Sequence, residues 1–327
     1  MSRLCPLAIL ALCALPSVAM AAAATTAYPS RPVRMIVPFV PGGSVDFVAR
    51  ILQPRFSEAL GQQVVIDNRA GASGNIAVEL TANSPADGHT ILLGNVGAAA
   101  INPSVFPKFP VQAGRDLQAV TLIVDVPGAL GVHATVPVAT LKEFIEYAKA
   151  RPGQLNYGSS AAGSAQSLAM EYFMGKAGIK LVSIPYKGGA GAATLAVLAG
   201  EVSATMLTTA SFVPHLKGGK VKVLAVISPK RVSQLPEVPT MIEHGYPELR
   251  LGSWIGIFVA KQTPPAIVKR IYDATLKVAN DPLVTERLNG GGALVVTNNS
   301  PEEFAQFMRT QTEFWAKLVK QAGVAVE

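Results

Sequence analysis

The stretch that decides the fold is residues 33–50, Val-Arg-Met-Ile-Val-Pro-Phe-Val-Pro-Gly-Gly-Ser-Val-Asp-Phe-Val-Ala-Arg. Its first five residues are mostly β-branched or long and apolar, which predicts a short buried strand. Gly42 and Gly43 predict a turn, and Ser44 is expected to cap a helix with Asp46 in its first turn. This succession directs backbone N–H groups at one point and favours an anion site. An ordinary strand-to-helix turn explains the stretch alone equally well.

The same order of strand, glycine-bearing polar loop and helix recurs along the chain. The later loops are expected at residues 67–75, 156–164 and 185–191. Strands that alternate with helices predict parallel sheets with crossover helices, so we expect an α/β fold. Glycine and serine at helix starts supply N–H and hydroxyl donors, and a cleft lined by them would bind carboxylates or similar oxyanions.

Composition limits the class of protein. Among 327 residues, 50% are hydrophobic and 15% are charged, so the chain can bury a substantial core and is not disordered. The formal net charge is +7, which suits nucleic acid, an acidic surface or an anionic small molecule. Nucleic acid is disfavoured, because the basic residues are scattered and no zinc-finger spacing is present.

The N-terminus has the pattern of a secretory signal peptide. A short basic start precedes the apolar residues 4–20, and Ala19-Met20-Ala21 is a small-residue cleavage site. We therefore expect residues 1–21 to be removed and the protein to be exported to the periplasm. A membrane anchor fits this segment less well, because its apolar core is short. A lipoprotein signal also fits less well, because it needs a small residue before the cysteine and Cys13 follows a leucine. Cys5 and Cys13 both lie in this segment, so the mature chain needs no disulfide or thiolate metal site.

The sequence contains none of several common catalytic motifs. The chain has no Gly-x-Ser-x-Gly elbow, no His-Glu-x-x-His and no phosphate-binding Gly-Lys-Ser/Thr. Its histidines lie far apart without metal-ligand spacing: His89, His133, His215 and His244. We therefore expect a binding protein and not an enzyme. Two α/β units with similar loops, the second inserted in the first, predict a ligand cleft between lobes.

Several motifs in order resemble one family of proteins. They are residues 37–46 (Val-Pro-Phe-Val-Pro-Gly-Gly-Ser-Val-Asp), residues 67–76 (Asp-Asn-Arg-Ala-Gly-Ala-Ser-Gly-Asn-Ile), residues 87–90 (Asp-Gly-His-Thr), residues 155–160 (Leu-Asn-Tyr-Gly-Ser-Ser), residues 185–188 (Pro-Tyr-Lys-Gly), residues 235–240 (Leu-Pro-Glu-Val-Pro-Thr) and Ser253-Trp254. Together they resemble the Bug family, the periplasmic substrate-binding receptors of tripartite tricarboxylate transporters. The resemblance covers almost the whole mature chain.

The resemblance implies a two-lobed, type II periplasmic-binding-protein fold, with a mainly parallel, helix-flanked sheet in each lobe. It also implies that the protein needs no cofactor and no metal. We expect lobe 1 to comprise residues 28–125 and 235–327, and lobe 2 residues 126–234. Partners would be a small carboxylate and the membrane components of a tripartite transporter, with the receptor a monomer. The implied ligand-binding residues come from both lobes: Phe39, Gly42, Gly43, Ser44, Asn75, Ser159, Ser160, Ser164, Tyr186 and Thr209. Asp46 is expected to cap its helix and not to meet the ligand.

The chain departs from the family pattern at two places. Gln166-Ser167 stands where many members have a histidine after the glutamine, and Leu207-Thr208-Thr209 stands where many have Asp or Asn. Loss of a carboxylate there implies a ligand without an amino group. Two other functions remain open: a ligand sensor for a signalling partner, which would use the same closure, and a serine hydrolase, which lacks an obvious His–acid pair.

Overall fold

The computed structural model describes residues 28–159, 164–186, 189–249 and 252–322. The predicted signal peptide, Ser160 of the third loop and Lys187-Gly188 of the fourth lie outside the described residues. The described chain forms two β-sheets flanked by helices, which confirms the α/β class. None of the helices in the described ranges combines the length and apolarity needed to cross a bilayer.

The first sheet has six strands in the spatial order β11-β4-β10-β3-β1-β2. Their bounds are β1 Val33–Val37, β2 Val64–Asn68, β3 Thr90–Asn95, β4 Leu117–Val126, β10 Ser253–Ala260 and β11 Leu294–Val295. β1 pairs parallel with β2 and β3, whereas β10 lies antiparallel between β3 and β4. β3 runs parallel to β1, and both β3 and β4 pair antiparallel with β10, so β4 runs in the same direction as β1.

The second sheet has five strands in the spatial order β7-β6-β8-β5-β9. Their bounds are β5 Gly128–His133, β6 Asn156–Ser159, β7 Val182–Pro185, β8 Ala204–Thr208 and β9 Val221–Ile227. β6 pairs parallel with β7 and β8, and β5 pairs antiparallel with β8 and β9. Both sheets are therefore mixed, not mainly parallel as predicted, because the strands that connect the halves run against their neighbours.

The helices cover both faces of the sheets. Their bounds are α1 Ser44–Leu60, α2 Asn75–Ala82, α3 Asn102–Val105, α4 Ala113–Asp116, α5 Leu141–Lys149, α6 Ala165–Ala177, α7 Gly189–Ala199, α8 Thr209–Phe212, α9 Pro265–Ala279, α10 Pro282–Gly290 and α11 Pro301–Ala322. The sequence Thr140-Leu-Lys-Glu143 has the spacing that predicts a capping box, and the structure confirms it: the Thr140 hydroxyl accepts from the Glu143 N–H and the Glu143 carboxylate accepts from the Thr140 N–H. Proline inside a helical pattern predicts a kink or a shortened helix, but α1 continues through Pro54 to Leu60 and is not shortened.

Each sheet is buried on both faces by apolar side chains. On one face of the first sheet Met35 and Val37 pack with Phe56 of α1, and on the other Ile36 packs with Trp254 and the C-terminal helix α11. At about 25 cal/mol per Å² of apolar surface, burial on this scale supplies the main driving force for folding. Separate clusters of the same kind flank the second sheet.

The chain passes between the two sheets at adjacent points. β4 ends at Val126 and β5 begins at Gly128, so only Pro127 lies between them. The return path enters the first sheet beside this crossing, since a Cβ at Gly252 would lie 2.1 Å from the Val126 carbonyl oxygen. Both crossings are therefore tight and side by side, as a hinge between two lobes requires.

The predicted return to lobe 1 at residue 235 differs from the packing. Thr240 forms a parallel bridge with Val226, and the Met241 N–H donates to the Val226 carbonyl at 2.8 Å. Met241 and Leu249 are buried in the core of the second sheet. The apolar side chains of this segment therefore have their partners in the second half of the molecule. The change of sheet falls close to Gly252.

Candidate functional site

The topology brings two sheet edges together. β1, β2 and β4 all end at one edge of the first sheet, while β6, β7 and β8 end at one edge of the second. β5 starts at that second edge, because Gly128 pairs with Thr208 at the end of β8. The single residue between β4 and β5 therefore sets the two carboxyl edges against each other. The loops that follow these strands therefore extend from the edges that face each other, and ligands of α/β proteins bind at the carboxyl ends of the strands.

The first loop follows β1 and leads directly into α1. Gly42 has a φ of +91°, and a Cβ there would meet nothing within 4 Å, so glycine serves the backbone and leaves the loop accessible. The N-cap is Gly43, without a side-chain cap bond, and Ser44 is the first helical residue instead of the predicted cap. The first-turn N–H groups lack intrahelical acceptors and stand at the positive end of the helix dipole.

Asp46 holds this loop in shape. Its carboxylate accepts from the Gly42 N–H at 2.9 Å, from Arg50 Nε at 2.8 Å and from Asn68 Nδ2 at 3.1 Å. Burial alone would raise the pKa of Asp46, but the hydrogen bonds from Arg50, Gly42 and Asn68 outweigh it and hold the pKa below its ordinary value. The charge of Asp46 is therefore compensated within the loop. Asn68 also donates to the carbonyl of Phe39.

The second loop lies against the first. A Cβ at Gly74 would lie 3.2 Å from Pro38 Cβ and 3.7 Å from Phe39 Cζ. This contact places Asn75, the first residue of α2, beside the first loop. Its Oδ1 accepts from Asn102 Nδ2 at 2.8 Å, whereas its Nδ2 is buried without a partner among the described residues. An unpaired buried donor is costly unless something accepts from it, so Asn75 Nδ2 is a candidate ligand contact.

The third loop brings serine hydroxyls together at the end of β6. Ser159 Oγ lies 2.7 Å from Ser167 Oγ, and Ser164 Oγ donates to Ser167 Oγ at 2.9 Å. Ser164 is also the N-cap of α6, where its hydroxyl accepts from the Ser167 N–H at 3.2 Å. The structure thus groups Ser159 with Ser164, as predicted for one half of the site, and adds Ser167.

Tyr186 contributes to this edge through its backbone. Its N–H donates to the Ser159 carbonyl at 2.9 Å, which fixes the end of β7 beside β6. Its ring packs against Gly158, and its hydroxyl lies 3.3 Å from the Glu201 carboxylate, which raises the pKa of Tyr186 together with burial, the larger cause. The Glu201 carbonyl also accepts from Asn156 at the start of β6. The Tyr186 hydroxyl therefore points back along the sheet, away from the other predicted residues.

Thr209 lies where the two halves touch. Its N–H donates to the Pro127 carbonyl at 2.8 Å, and its buried Oγ1 has no partner in the described part of the chain. A Cβ at Gly292 would lie 3.3 Å from Thr209 Oγ1 and 3.2 Å from the Ala210 nitrogen. The segment before β11 therefore approaches α8 closely. Thr209 is placed at the hinge side of the site.

Asp125 is a buried acid that the sequence analysis missed. It lies at the end of β4, is 6% exposed, and accepts a hydrogen bond from the Gly252 N–H, while its Oδ1 has no partner in the described ranges. Burial raises the pKa of Asp125 to about 7, and the Gly252 hydrogen bond lowers it by less. The available signal was a lone acid within the otherwise apolar run Val120–Val132.

The other two missed residues are Asn102 and Ser167. Both are buried polar side chains that contact a predicted ligand-binding residue. Ser167 had a signal, since it stands at a position where the chain departs from the family pattern. Asn102 had none, because its contact with Asn75 joins residues 27 apart in sequence.

The described residues contain no cluster of three or more His, Cys, Asp or Glu side chains suited to a metal ion. The histidine rings with defined partners lie elsewhere: His133 bonds Thr135 at 2.7 Å, and His89 accepts from the Ser30 N–H at 3.2 Å. Within the ranges that the structure describes, the grouped serines bond to one another and not to a histidine that could activate one of them as a nucleophile, so their arrangement suits binding of a hydrogen-bond acceptor on a ligand.

Known proteins match this chain closely. The family described as the tripartite tricarboxylate transporter family receptor matches residues 48–324. Protein BugT of Bordetella pertussis is 36% identical over 301 residues, or 92% of each chain. An R. palustris protein solved with adipate has a TM-score of 0.83 at 34% identity and covers 91% of this chain and 99% of its own. MatC from Rhodopseudomonas palustris with bound malate has a TM-score of 0.78 at 30% identity, covering 89% and 100%.

These likenesses extend over both sheets and both chain crossings, and they confirm the resemblance seen in the sequence motifs. The solved relatives include periplasmic binding proteins, so the two sheets are the two lobes of that fold. The chain belongs to the family of periplasmic solute-binding receptors of tripartite tricarboxylate transporters.

Proposed function

We propose that this protein is exported to the periplasm, binds a small carboxylate between its lobes and delivers it to the membrane components of a tripartite transporter. Lobe 1 would comprise residues 28–126 and 252–322, and lobe 2 residues 128–249, as the packing indicates. Relatives solved with adipate and malate support a dicarboxylate as the ligand. Closure of the lobes would present the loaded form to the membrane partner.

One observation carries the proposal: each lobe offers neutral hydrogen-bond donors at the edge where the lobes meet. Lobe 1 contributes the first-turn N–H groups of α1 and Asn75 Nδ2, which has no partner among the described residues, and lobe 2 contributes the hydroxyl of Ser159, beside which Ser164 donates to Ser167. Neutral donors hold an oxyanion without burying an unpaired cation. The nearby cation Arg50 is already paired with Asp46.

The same donors argue against a ligand whose ammonium group must be matched at this edge. The carboxylate of Asp46 is occupied by three donors, and Thr209 offers only a hydroxyl. Asp125 lies at the same edge, but burial raises its pKa to about 7 and so disfavours its charged form. We therefore propose a carboxylate without an amino group, in keeping with the departure noted at Leu207-Thr208-Thr209.

The test is a thermal-shift screen of the protein without residues 1–21 against malate, adipate, tricarboxylates, aromatic acids and amino acids. A carboxylate at about 100 times its Kd should stabilise the protein by roughly 2.7 kcal/mol. Ser159→Ala should weaken binding of that carboxylate about tenfold. Ser84→Ala is the matched control, because the Ser84 hydroxyl bonds only a helix carbonyl at the end of α2. A protein that no carboxylate stabilises, after mass spectrometry excludes a retained ligand, would refute the proposal.

A further inference from the structure

Ser167 connects the two predicted ligand-binding serines of lobe 2. It lies in the first turn of α6, is 8% exposed, and its hydroxyl is within hydrogen-bond distance of both Ser159 and Ser164. Ser159 is itself 6% exposed. The three hydroxyls form a chain in which Ser167 is the middle member.

A hydroxyl has one proton to donate and two lone pairs that accept. Ser164 donates to Ser167 at 2.9 Å, and in the 2.7 Å contact between Ser167 and Ser159 either hydroxyl can be the donor. When Ser167 is that donor, Ser159 accepts within the chain and keeps its own proton for a group in the cleft. The middle hydroxyl can thus hold Ser159 as a donor toward the ligand.

In lobe 1, Asn102 orients the side-chain amide of Asn75. Its Nδ2 donates to Asn75 Oδ1 at 2.8 Å and to the Ser73 carbonyl at 3.0 Å, which uses both amide protons. The reversed amide of Asn75 would set two N–H₂ groups against each other, so the network fixes Oδ1 toward Asn102. Asn75 Nδ2 is then directed away from Asn102, and it is the atom buried without a partner.

We propose that Ser167 and Asn102 are positioning residues that orient Ser159 and Asn75 as hydrogen-bond donors, one from each lobe, and thereby restrict the ligand group held there to an oxyanion. This inference rests on the proposed carboxylate function. It assigns a role to two side chains that hold the donors in place without contacting the ligand themselves.

Reversing the polarity of Asn75 is the direct test in lobe 1. In Asn102→Asp the new carboxylate only accepts, so Asn75 should turn its Nδ2 toward it and leave Oδ1 facing the cleft. Affinity for malate or adipate, whichever stabilises the unsubstituted protein more, should fall about 30-fold in Asn102→Asp and only about threefold in Asn102→Ala. Equal losses in the two variants would overturn the assignment of Asn102.

A double-mutant cycle tests lobe 2 and does not depend on the fold tolerating an acid at Asn102. Isothermal titration should show about a fivefold loss of affinity in Ser167→Ala and almost no further loss when this change is added to Ser159→Ala. Ser167→Thr, which keeps the hydroxyl, should restore most of the affinity. Thr275→Val is the control for removing a buried hydroxyl, because Thr275 bonds the Ile271 carbonyl in α9.

The outcomes separate this inference from the proposed function. Binding that is lost in Ser159→Ala but unchanged in Ser167→Ala, or losses that simply add in the double variant, overturn the positioning role and leave the receptor function standing. A protein that binds no carboxylate in the screen overturns both. Urea unfolding of each variant without ligand confirms that the comparison is made between folded proteins.

Discussion

Replacing Asp125 by asparagine should change how the stability of this protein depends on pH. Asp125 lies at the end of β4 beside the first chain crossing, and burial raises its pKa from 3.8 to about 7. Asparagine has nearly the same shape, can still accept from the Gly252 N–H, and resembles the protonated acid. The substitution therefore removes the titration and leaves the packing nearly intact.

The sign follows from proton linkage. Between about pH 4 and pH 7 the folded protein keeps the Asp125 proton, while the unfolded chain has released it. The unfolded state then binds fewer protons, so the free energy of unfolding falls as the pH rises and the full loss is reached above about pH 7. A shift of about three pKa units corresponds to about 4 kcal/mol, of which about 2.5 kcal/mol falls between pH 5 and pH 8.

The assay is urea unfolding at these two pH values, followed by the fluorescence of Trp254 and Trp315, both buried in the first lobe. Asp125→Asn should gain about 2.5 kcal/mol relative to the unsubstituted protein on going from pH 5 to pH 8. Comparing the two proteins at each pH cancels the other titrating groups. Asp273→Asn is the control, because that side chain is 48% exposed and its carboxylate is paired with Lys269 on the surface of α9.

A difference between Asp125→Asn and the unsubstituted protein that stays constant from pH 5 to pH 8 would refute the reasoning. It would mean that the Asp125 carboxylate is hydrated or paired in solution. A difference that changes in the opposite direction would show that the ionised form is stabilised by the fold.

Two further predictions concern the contacts that shape the site. Gly292→Ala should weaken carboxylate binding about tenfold and lower stability by about 1 kcal/mol, because Gly292 has a φ of +81° and a Cβ would lie 3.2 Å from the Ala210 nitrogen. Titration with the carboxylate measures the affinity, and urea unfolding measures the stability. Gly114→Ala is the control, because a Cβ at Gly114 meets nothing within 4 Å. Asp46→Ala should lower stability by about 1–3 kcal/mol at pH 7, because Gly42 loses its side-chain acceptor. The pKa of Asp46 is depressed, so this contribution is lost as the pH falls through it, and a penalty that persists unchanged at about pH 3 would contradict the assignment.

The sequence predicted the parts of the fold that depend on local pattern. The strand, glycine turn and helix at the first loop follow from apolar runs and from glycine at the turn, and Thr140 with Glu143 formed the capping box expected from their spacing. Gly61 ends α1 in the left-handed conformation, and glycine is the residue most often found at this position after a helix. These features are decided within a few residues of chain.

Features that depend on tertiary packing were missed or misplaced. Proline inside a helix costs about 3 kcal/mol, but α1 buries Phe56 and Leu60 beyond Pro54, each by an amount that contributes about 1.5–3 kcal/mol. Burial of the second half of α1 therefore outweighs the lost hydrogen bond. The helix α10 and strand β11 were not predicted, since β11 is only Leu294–Val295 and exists through its pairing with β4.

The residues of the candidate site also divide into those that local sequence identifies and those that depend on tertiary packing. Residues in the glycine-rich loops were identifiable from sequence, because glycine and serine before a helix have a local meaning. Asn102 was not, because its contact with Asn75 forms only in the folded chain. Ser167 was marked in the sequence by its departure from the family pattern, but its bond to Ser159 was not predictable from that position. Tyr186 belongs to one of the family motifs, yet its hydroxyl donates to the Glu201 carboxylate, a contact that the sequence did not predict.

The buried acid and the neutral donors belong to one electrostatic arrangement. Asp125 ends β4 at the same sheet edge from which Phe39, Gly42 and the start of α1 extend. An ionised carboxylate at this edge would oppose an anionic ligand, whereas its protonated form does not. Burial of Asp125 keeps it neutral up to about pH 7, so the edge presents donors without a competing negative charge. The loss of stability above that pH is thus the expected consequence of a buried acid at the edge of the proposed oxyanion site.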